Sequence, residues 1–493
     1  MRHYLLSALY LPVLLCAQDL KEFEKNVSEF DLPNGMHFIV LERHQAPVVS
    51  FYAHVNSGST DDPGGKSGLA HMFEHMIGKG TAAIGSKDWM FEKKALDAVE
   101  DAYDKLESER GKGPRANAST VERLQNILKS EIDKANKYVD PNAYIRVIEE
   151  NGAVGFNAST GRDFTNYFYS LPSNRAELWF LLQSSWFKRP IFREFYKERD
   201  VVRDERRMRV ESDPQGKLME MFLATAFVAH PYRNMIGWAS DIENLRATDA
   251  EQFFKTHYVP GNITVSIAGD ITPADAKKLA QKYFAPLPAG PPPRRLSIIE
   301  PKQEGEKRVT VETPAQPVLM IAYKRPSDLH KDDPVFDVLS GILSSGRTGI
   351  LYKELVRDKQ IALGTETIAT FPDGRHPHLF VFFSAPSSGH TVEENEKAWY
   401  EIIDRLKKEP VDKAALDRVK TKLRAGLIRR LDNNSGLASQ LAQYHATYGN
   451  WRKLFTGLDE IEKVTAEDVQ RVAKEYFGSS SRTLAYTVKG AAQ

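Results

Sequence analysis

The stretch "ATDAEQFFKTHYVPGNITVSIAGD" (residues 247–270) combines a helix start, an amphipathic helix that ends in aromatic residues, and an alternating strand. Near the end of the chain, "VTAEDVQRVAKEYFGSSSRTLAYTVKG" (464–490) follows the same plan, with Asp468 opposite Asp249. Two halves of similar length that share an ending indicate an internal duplication. Because each half mixes strands and helices without strict alternation, we expect an α+β fold with two related halves.

The segment "APLPAGPPPRRLSIIEPKQEGEK" (285–307) lies between these halves and has the proline-rich, polar composition of an interdomain linker. We therefore expect a first domain over 18–285, a linker over 286–305 and a second domain over 306–493. A chain of 493 residues is long enough for two such domains.

A helical insertion is predicted inside the first domain, at about 86–139. Two helical stretches, 86–110 and 119–139, flank the breaker "GKGPRANA", and their apolar residues fall on one side of each. This pattern is typical of an antiparallel helical hairpin.

The first residues, "MRHYLLSALYLPVLLCAQDL" (1–20), have a basic start, an apolar run and then polar sequence. The run is short for a membrane span, so it predicts a secretory signal peptide over 1–17. Lipoprotein anchoring through Cys16 is disfavoured because Leu15 suits that processing site poorly. Cys16 is also the only cysteine, and export without disulfides indicates a bacterial periplasmic or secreted protein.

The overall charge is nearly balanced, with 67 Lys and Arg residues against 66 Asp and Glu residues. Such a balance gives no indication of a nucleic-acid partner. No stretch after the N-terminus is long and apolar enough to span a membrane, so we do not expect a membrane-spanning protein.

The most informative motif is "GLAHMFEHMIGKG" (68–80), which places His71 and His75 four residues apart. On a helix these side chains project from one face, whereas the apolar residues Leu69, Phe73, Met76 and Ile77 fall on the opposite face. Glu74 lies close enough to touch a water molecule held between the two imidazoles. This H-x-x-E-H order is the inverse of the commoner H-E-x-x-H motif of zinc peptidases, and it is itself a zinc peptidase motif. The alternative is an ordinary solvated polar face.

A catalytic zinc ion needs a third protein ligand, and the predicted helix at 193–210 offers Glu205. Glu205 shares a face with Val202 and Met208, and a carboxylate among apolar residues needs a partner. A metal ion would provide that partner. The alternative is an ion pair with a buried Arg or Lys. The neighbouring charged residues, Arg206 among them, have an ordinary interpretation as solvated charge.

The segments "HMFEHM", "GFNAS" and "ERDVVRDE" together resemble the insulinase/pitrilysin family of zinc metallopeptidases, which includes the mitochondrial processing peptidase. The resemblance covers nearly the whole chain after the signal peptide. It implies one Zn²⁺ per chain, bound by His71, His75 and Glu205, with Glu74 as the general base and Glu198 supporting the site. It also implies that the two halves enclose a chamber.

The family's substrate-binding features are only partly matched. Asn157 and Ala158 correspond to an edge strand that pairs with the peptide; the alternative is an ordinary sheet strand. Arg357 corresponds to a substrate-binding arginine, but Leu363 and Gly364 stand where the family has a tyrosine.

We therefore expect an exported zinc endopeptidase that hydrolyses peptides or unfolded polypeptide segments. Because the tyrosine is missing, a homodimer is possible, or a heterodimer with a related subunit that carries the arginine–tyrosine pair. The competing hypothesis is a non-catalytic or partner-dependent subunit that binds polypeptides. A metal-storage protein is disfavoured because storage has no use for Glu74.

Overall fold

The computed structural model describes residues 23–234 and 236–489, so the predicted signal peptide at 1–17 and its Cys16 lie outside the described residues. The described chain contains two mixed β-sheets. The first has the strand order β1-β2-β6-β3-β5-β4, with β1 Val27–Asp31, β2 His37–Glu42, β3 Val48–Val55, β4 Val154–Thr160, β5 Thr165–Pro172 and β6 Ile263–Gly269. The second has the order β7-β11-β8-β10-β9, with β7 Lys307–Thr313, β8 Leu319–Arg325, β9 Ala362–Phe371, β10 His378–Pro386 and β11 Arg482–Lys489.

The two sheets repeat one topology. In the first, β2 is parallel to β6, and the neighbours β6–β3, β3–β5 and β5–β4 are antiparallel. In the second, β7 is parallel to β11, and β11–β8, β8–β10 and β10–β9 are antiparallel. Strand β1 is an addition at one edge of the first sheet. The predicted α+β class with duplicated halves is confirmed.

Sixteen α-helices of five or more residues surround the sheets in the described part of the chain. Those of the first half are α1 Leu69–His75, α2 Trp89–Arg110, α3 Ala118–Asn136, α4 Ala143–Glu150, α5 Ala176–Lys188, α6 Phe195–Arg206, α7 Pro214–Ala226, α8 Ala239–Glu243, α9 Ala247–His257 and α10 Pro273–Tyr283. Those of the second half are α11 Asp333–Ser344, α12 Val392–Lys408, α13 Lys413–Arg430, α14 Asn434–Tyr448, α15 Lys453–Lys463 and α16 Ala466–Tyr476. None of them is long and apolar enough to cross a membrane.

Helices α2 and α3 form the segment where the insertion was predicted, and they pack along each other. Their buried side chains include Val99, Tyr103 and Leu106 on α2, and Leu124 and Leu128 on α3. The apolar spacing explains the pairing, since residues three and four apart share one helix face.

Each half contributes one helix to the other half's sheet. Helix α7, from the first half, packs Leu218 and Phe222 against Met320 and other residues of the second sheet. Helix α14, from the second half, packs Leu437 and Leu441 on the first sheet. Between α10 and β7 the chain forms no helix or strand.

Candidate metal centre

Helix α1 carries the motif, and its start is fixed by a buried carboxylate. The Asp62 side chain accepts hydrogen bonds from the backbone N–H of Gly68 (2.7 Å) and of Ala70 (2.8 Å). Gly68 has φ +93°, and a Cβ there would lie 2.8 Å from the Ile236 carbonyl oxygen, so glycine is needed at this turn. The predicted apolar face is buried, with Leu69, Phe73, Met76 and Ile77 at most 6% exposed. The helix therefore presents its histidines in a fixed direction.

The structure brings together the three side chains that the sequence nominated as metal ligands. Glu205 Oε2 lies 3.6 Å from His71 Nε2 and 3.6 Å from His75 Nε2. In a tetrahedral zinc site with bonds of about 2.0–2.1 Å, neighbouring ligand atoms are roughly 3.4 Å apart. Two imidazoles and one carboxylate at this spacing fit zinc and leave a fourth position for water.

The electrostatics of this cluster favour a cation. Burial, with help from neighbouring His75, lowers the pKa of His71 to about 4, so its ring is neutral at pH 7. Burial also acts to lower the pKa of His75, but hydrogen bonds with Glu198 and Glu205 outweigh it and raise the pKa to about 9. The negative charge that stabilises a proton on His75 would equally stabilise a bound metal ion.

Glu198 supports the cluster from the far side of His75. Its Oε2 lies 3.5 Å from His75 Nδ1, and its Oε1 accepts a hydrogen bond from Lys79 Nζ at 2.5 Å. Burial acts to raise the pKa of Glu198, yet the bonds with His75 and Lys79 outweigh it and hold the pKa at about 2. A carboxylate held ionised on the second ring nitrogen is the usual device for orienting a metal-binding histidine.

Glu74 is half-buried beside the end of the edge strand β4. Burial raises the pKa of its carboxyl group, although a hydrogen bond with the Thr160 hydroxyl opposes this effect. A carboxylate of raised pKa is a better proton acceptor near neutral pH. Thr160 is the last residue of β4, so Glu74 adjoins the strand that the sequence nominated for substrate.

Two of the three predicted substrate residues lie at an open edge of the first sheet, and the third lies in a helical segment of the second half. Asn157, exposed, and Ala158 belong to β4, which ends the first sheet and pairs with β5. Arg357 lies in the second half, in a π-helical segment at Tyr352–Asp358, and pairs with its neighbour Asp358 at 2.6 Å. Leu363, 68% exposed, lies near the start of β9, the corresponding edge strand of the second sheet.

Two sequence interpretations of the α6 region were wrong. Arg206 is not solvated: it is 5% exposed and donates to both carboxylate oxygens of Glu220 and to the Gly237 carbonyl. Glu205 does not lie on an apolar stripe, since Met208 is 67% exposed where the helix changes to a π-helical segment at 207–211. The exposed Arg209 instead binds the other oxygen of Glu205 at 2.7 Å.

Sequence reasoning also missed Asp62 and Lys79. Lys79 follows His75 by four residues, as His75 follows His71, and this repeated spacing was the available signal. For Asp62 no local pattern was available, because its carboxylate accepts hydrogen bonds from backbone N–H groups six and eight residues later in the chain.

A large cavity lies elsewhere among the described residues. It has a volume of about 1020 Å³ and opens between the helical insertion, α9 and the proline-rich segment at 287–294. Neither His71, His75 nor Glu205 lines it. The insertion thus shapes a space of its own rather than the metal cluster.

Two known family profiles match parts of the chain. The profile described as "Insulinase (Peptidase family M16)" matches residues 131–238, and the profile described as "Peptidase M16 inactive domain" matches residues 244–423. The chain belongs to the insulinase family of peptidases. The predicted resemblance is therefore confirmed, although the first profile match begins after the helix that carries His71 and His75.

The insulinase-family relatives cover the chain from end to end. "Zinc protease PqqE" of Helicobacter pylori is 26% identical over 496 residues, which is 98% of this chain and 97% of that protein. The crystal structure of a protease from Helicobacter pylori superimposes with a TM-score of 0.76 at 24% identity, covering 94% of this chain and 99% of the other. The periplasmic protease PqqL from Escherichia coli gives a TM-score of 0.68 at 14% identity, covering 94% of this chain and 48% of that one.

Proposed function

We propose that this protein is an exported zinc-dependent endopeptidase that hydrolyses peptides or unfolded polypeptide segments. The observation that carries the proposal is the cluster of His71, His75 and Glu205, with Glu74 between it and an open edge strand. A relative named as a zinc protease along nearly the whole chain supports the same class of activity.

In this proposal His71, His75 and Glu205 hold one zinc ion per chain. A bound zinc ion lowers the pKa of a water molecule to about 7 and polarises the peptide carbonyl. Glu74 accepts the proton from the attacking water at its carboxylate and then gives that proton to the leaving amine nitrogen. Glu198, held ionised by Lys79, keeps the His75 ring in position.

The edge strand β4 would bind substrate as an additional strand. Backbone hydrogen bonds of this kind are independent of side-chain identity, so they suit varied peptides. Asn157 and Ala158 lie on this strand, and Arg357 would donate hydrogen bonds to the peptide from the second half. An enclosed chamber between the halves would admit unfolded chains and exclude folded ones.

The location follows from the N-terminal sequence. A signal peptide over 1–17 directs the chain to a bacterial periplasm or to secretion. The structural neighbour PqqL, which is described as periplasmic, supports this assignment.

The decisive experiment separates metal binding from chemistry. Glu74→Gln keeps the shape of the side chain but cannot accept the proton, so zinc content should stay at about one per chain while peptide hydrolysis falls by several orders of magnitude. His75→Ala should lose most of the zinc, as measured by elemental analysis. The exposed Glu393→Gln is the matched control and should change neither quantity. Near wild-type turnover in Glu74→Gln would remove Glu74 from the mechanism.

A second function is a partner-dependent or non-catalytic subunit that binds polypeptides. The match of residues 244–423 to an inactive-domain profile favours it, as do Leu363 and Gly364 at the tyrosine position. It predicts tight binding of unfolded peptides by the purified chain with no cleavage at full zinc occupancy. Cleavage that a chelator abolishes would exclude it.

A further inference from the structure

A second group of side chains that could bind a metal ion lies at the edge of the first sheet opposite to β4. His37 on β2, Glu29 on β1 and His445 on α14 each offer one ligand atom, and these atoms lie within 4.8 Å of one another. Strands β1 and β2 belong to the first half, whereas α14 comes from the second. The group therefore joins the two halves.

Two ring nitrogens in this group are buried without a hydrogen bond. His37 Nε2 and His445 Nδ1 make no hydrogen bond with any group among residues 23–234 and 236–489. A buried polar atom left unpaired costs about 1–3 kcal/mol, so it is uncommon and calls for a partner. Imidazole nitrogens of this kind are also good ligands for transition-metal ions.

His37 is already oriented as a metal ligand. Its Nδ1 lies 2.8 Å from Asp31 Oδ1, which fixes the ring and leaves Nε2 as the free nitrogen. Glu29 Oε2 lies 3.8 Å from that Nε2. A carboxylate on one nitrogen and a metal on the other is the standard arrangement of a metal-binding histidine.

We propose that Glu29, His37 and His445 form a second zinc site, separate from the cluster on α1, that links the two halves of the chain. Two imidazoles and a carboxylate form a ligand set that binds zinc in preference to magnesium. The site is independent of the proposed peptidase chemistry, because it shares no residue with that cluster.

One rearrangement is required. The His37 and His445 rings are stacked, with centroids 3.8 Å apart and planes 8° from parallel, so their lone pairs do not converge. For both nitrogens to face one ion, one ring must turn out of the stack about its terminal torsion, which has a broad energy minimum in histidine.

Of the surrounding charges, the carboxylates of Glu29 and Asp31 favour a cation, whereas the guanidinium of Arg452 opposes one. Arg452 binds Oε1 of Glu29 at 2.9 Å and leaves Oε2 directed toward His37. Asp31 adds a second negative charge beside the ring. His445 lies in the last turn of α14, where the helix dipole favours positive charge.

The test uses the full-length mature chain with the cluster on α1 disabled by His71→Ala and His75→Ala. The chain is stripped with a chelator and titrated with Zn²⁺ against a chromogenic competitor, with Mg²⁺ as a second probe. We expect one equivalent of zinc and no competition from Mg²⁺. Adding His445→Phe, which keeps a ring over His37 but removes the nitrogen, should abolish that equivalent.

Further variants guard against misfolding. Asp31→Asn, at an exposed residue, should keep the stoichiometry and weaken zinc affinity about 10- to 100-fold, as loss of an orienting carboxylate does. His390→Ala removes a partly exposed histidine that also pairs with a carboxylate, and it should change nothing. The proposal is overturned if the disabled chain binds no zinc, or if His445→Phe or Asp31→Asn leaves zinc binding unchanged.

Discussion

Removing the carboxylate of Glu92 should loosen the segment that follows helix α1, which carries His71 and His75. Glu92, on α2, and Arg193, before α6, form an ion pair in which the side chains are 0% and 1% exposed. Arg193 Nε donates to Glu92 at 2.7 Å, and its Nη atoms donate to the carbonyls of Lys79 (2.6 Å), Thr81 (2.9 Å) and Ile84 (2.9 Å). The guanidinium thus ties the insertion to residues 79–84.

The magnitude follows from the burial. In Glu92→Ala the guanidinium keeps its carbonyl partners but loses its counter-charge, and breaking a buried pair this way costs about 3–5 kcal/mol. At about 1.36 kcal/mol per tenfold change, local opening of this segment becomes about 160 to 5,000 times more frequent. Because Lys79 holds Glu198, zinc affinity should fall as well.

Hydrogen exchange followed by mass spectrometry measures this opening directly, peptide by peptide, without assuming two-state unfolding. The control is Glu122→Ala, an exposed glutamate of α3, which should change stability by less than about 0.5 kcal/mol. If residues 79–92 exchange less than tenfold faster in Glu92→Ala, or no faster than in Glu122→Ala, the ion pair does not hold this segment.

Three further outcomes are expected. Glu198→Gln should weaken zinc affinity about 10- to 100-fold in a competition titration. The control Arg209→Ala, which removes an exposed guanidinium, should weaken zinc affinity far less. Equal losses of affinity in the two variants would contradict the orienting role of Glu198. Leu363→Tyr, or Gly364→Tyr, should raise the peptidase rate at constant zinc content, because holding the substrate more firmly can raise the rate up to about a hundredfold. Adding a related subunit that carries the arginine–tyrosine pair should raise the rate in the same way. A chain that is already fully active without either change would contradict this prediction. Unfolded peptides should be cleaved while a stable folded protein is spared, and cleavage within a structured region would indicate an open cleft.

Much of the fold and the nominated cluster was predictable because its signals are local. The spacing of His71 and His75 fixes their common face, and the shared ending of the two halves reveals the duplication that the sheets repeat. Glu205 was nominated by its place in the motif order, whereas the argument from an apolar stripe on its helix was wrong.

What the sequence did not reveal depends on distant partners. The burial of Arg206 follows from Glu220 and Gly237, which lie 14 and 31 residues away. The apolar face of α14 is visible as a pattern, but nothing local tells which sheet it covers. The pairing of His37 with His445 likewise joins residues separated by about 400 positions, so neither is notable alone.

The exchanged helices α7 and α14 make the two halves depend on each other for solubility. A first half produced alone would leave Ile39, Leu41 and Tyr52 without the cover of α14, and such an exposed apolar sheet face favours aggregation. A second half produced alone would lack α7, so Met320 and its apolar neighbours on the second sheet would be uncovered in the same way. Cutting the polypeptide within the linker should therefore give two fragments that remain associated, and separately expressed fragments should become soluble only when they are produced together.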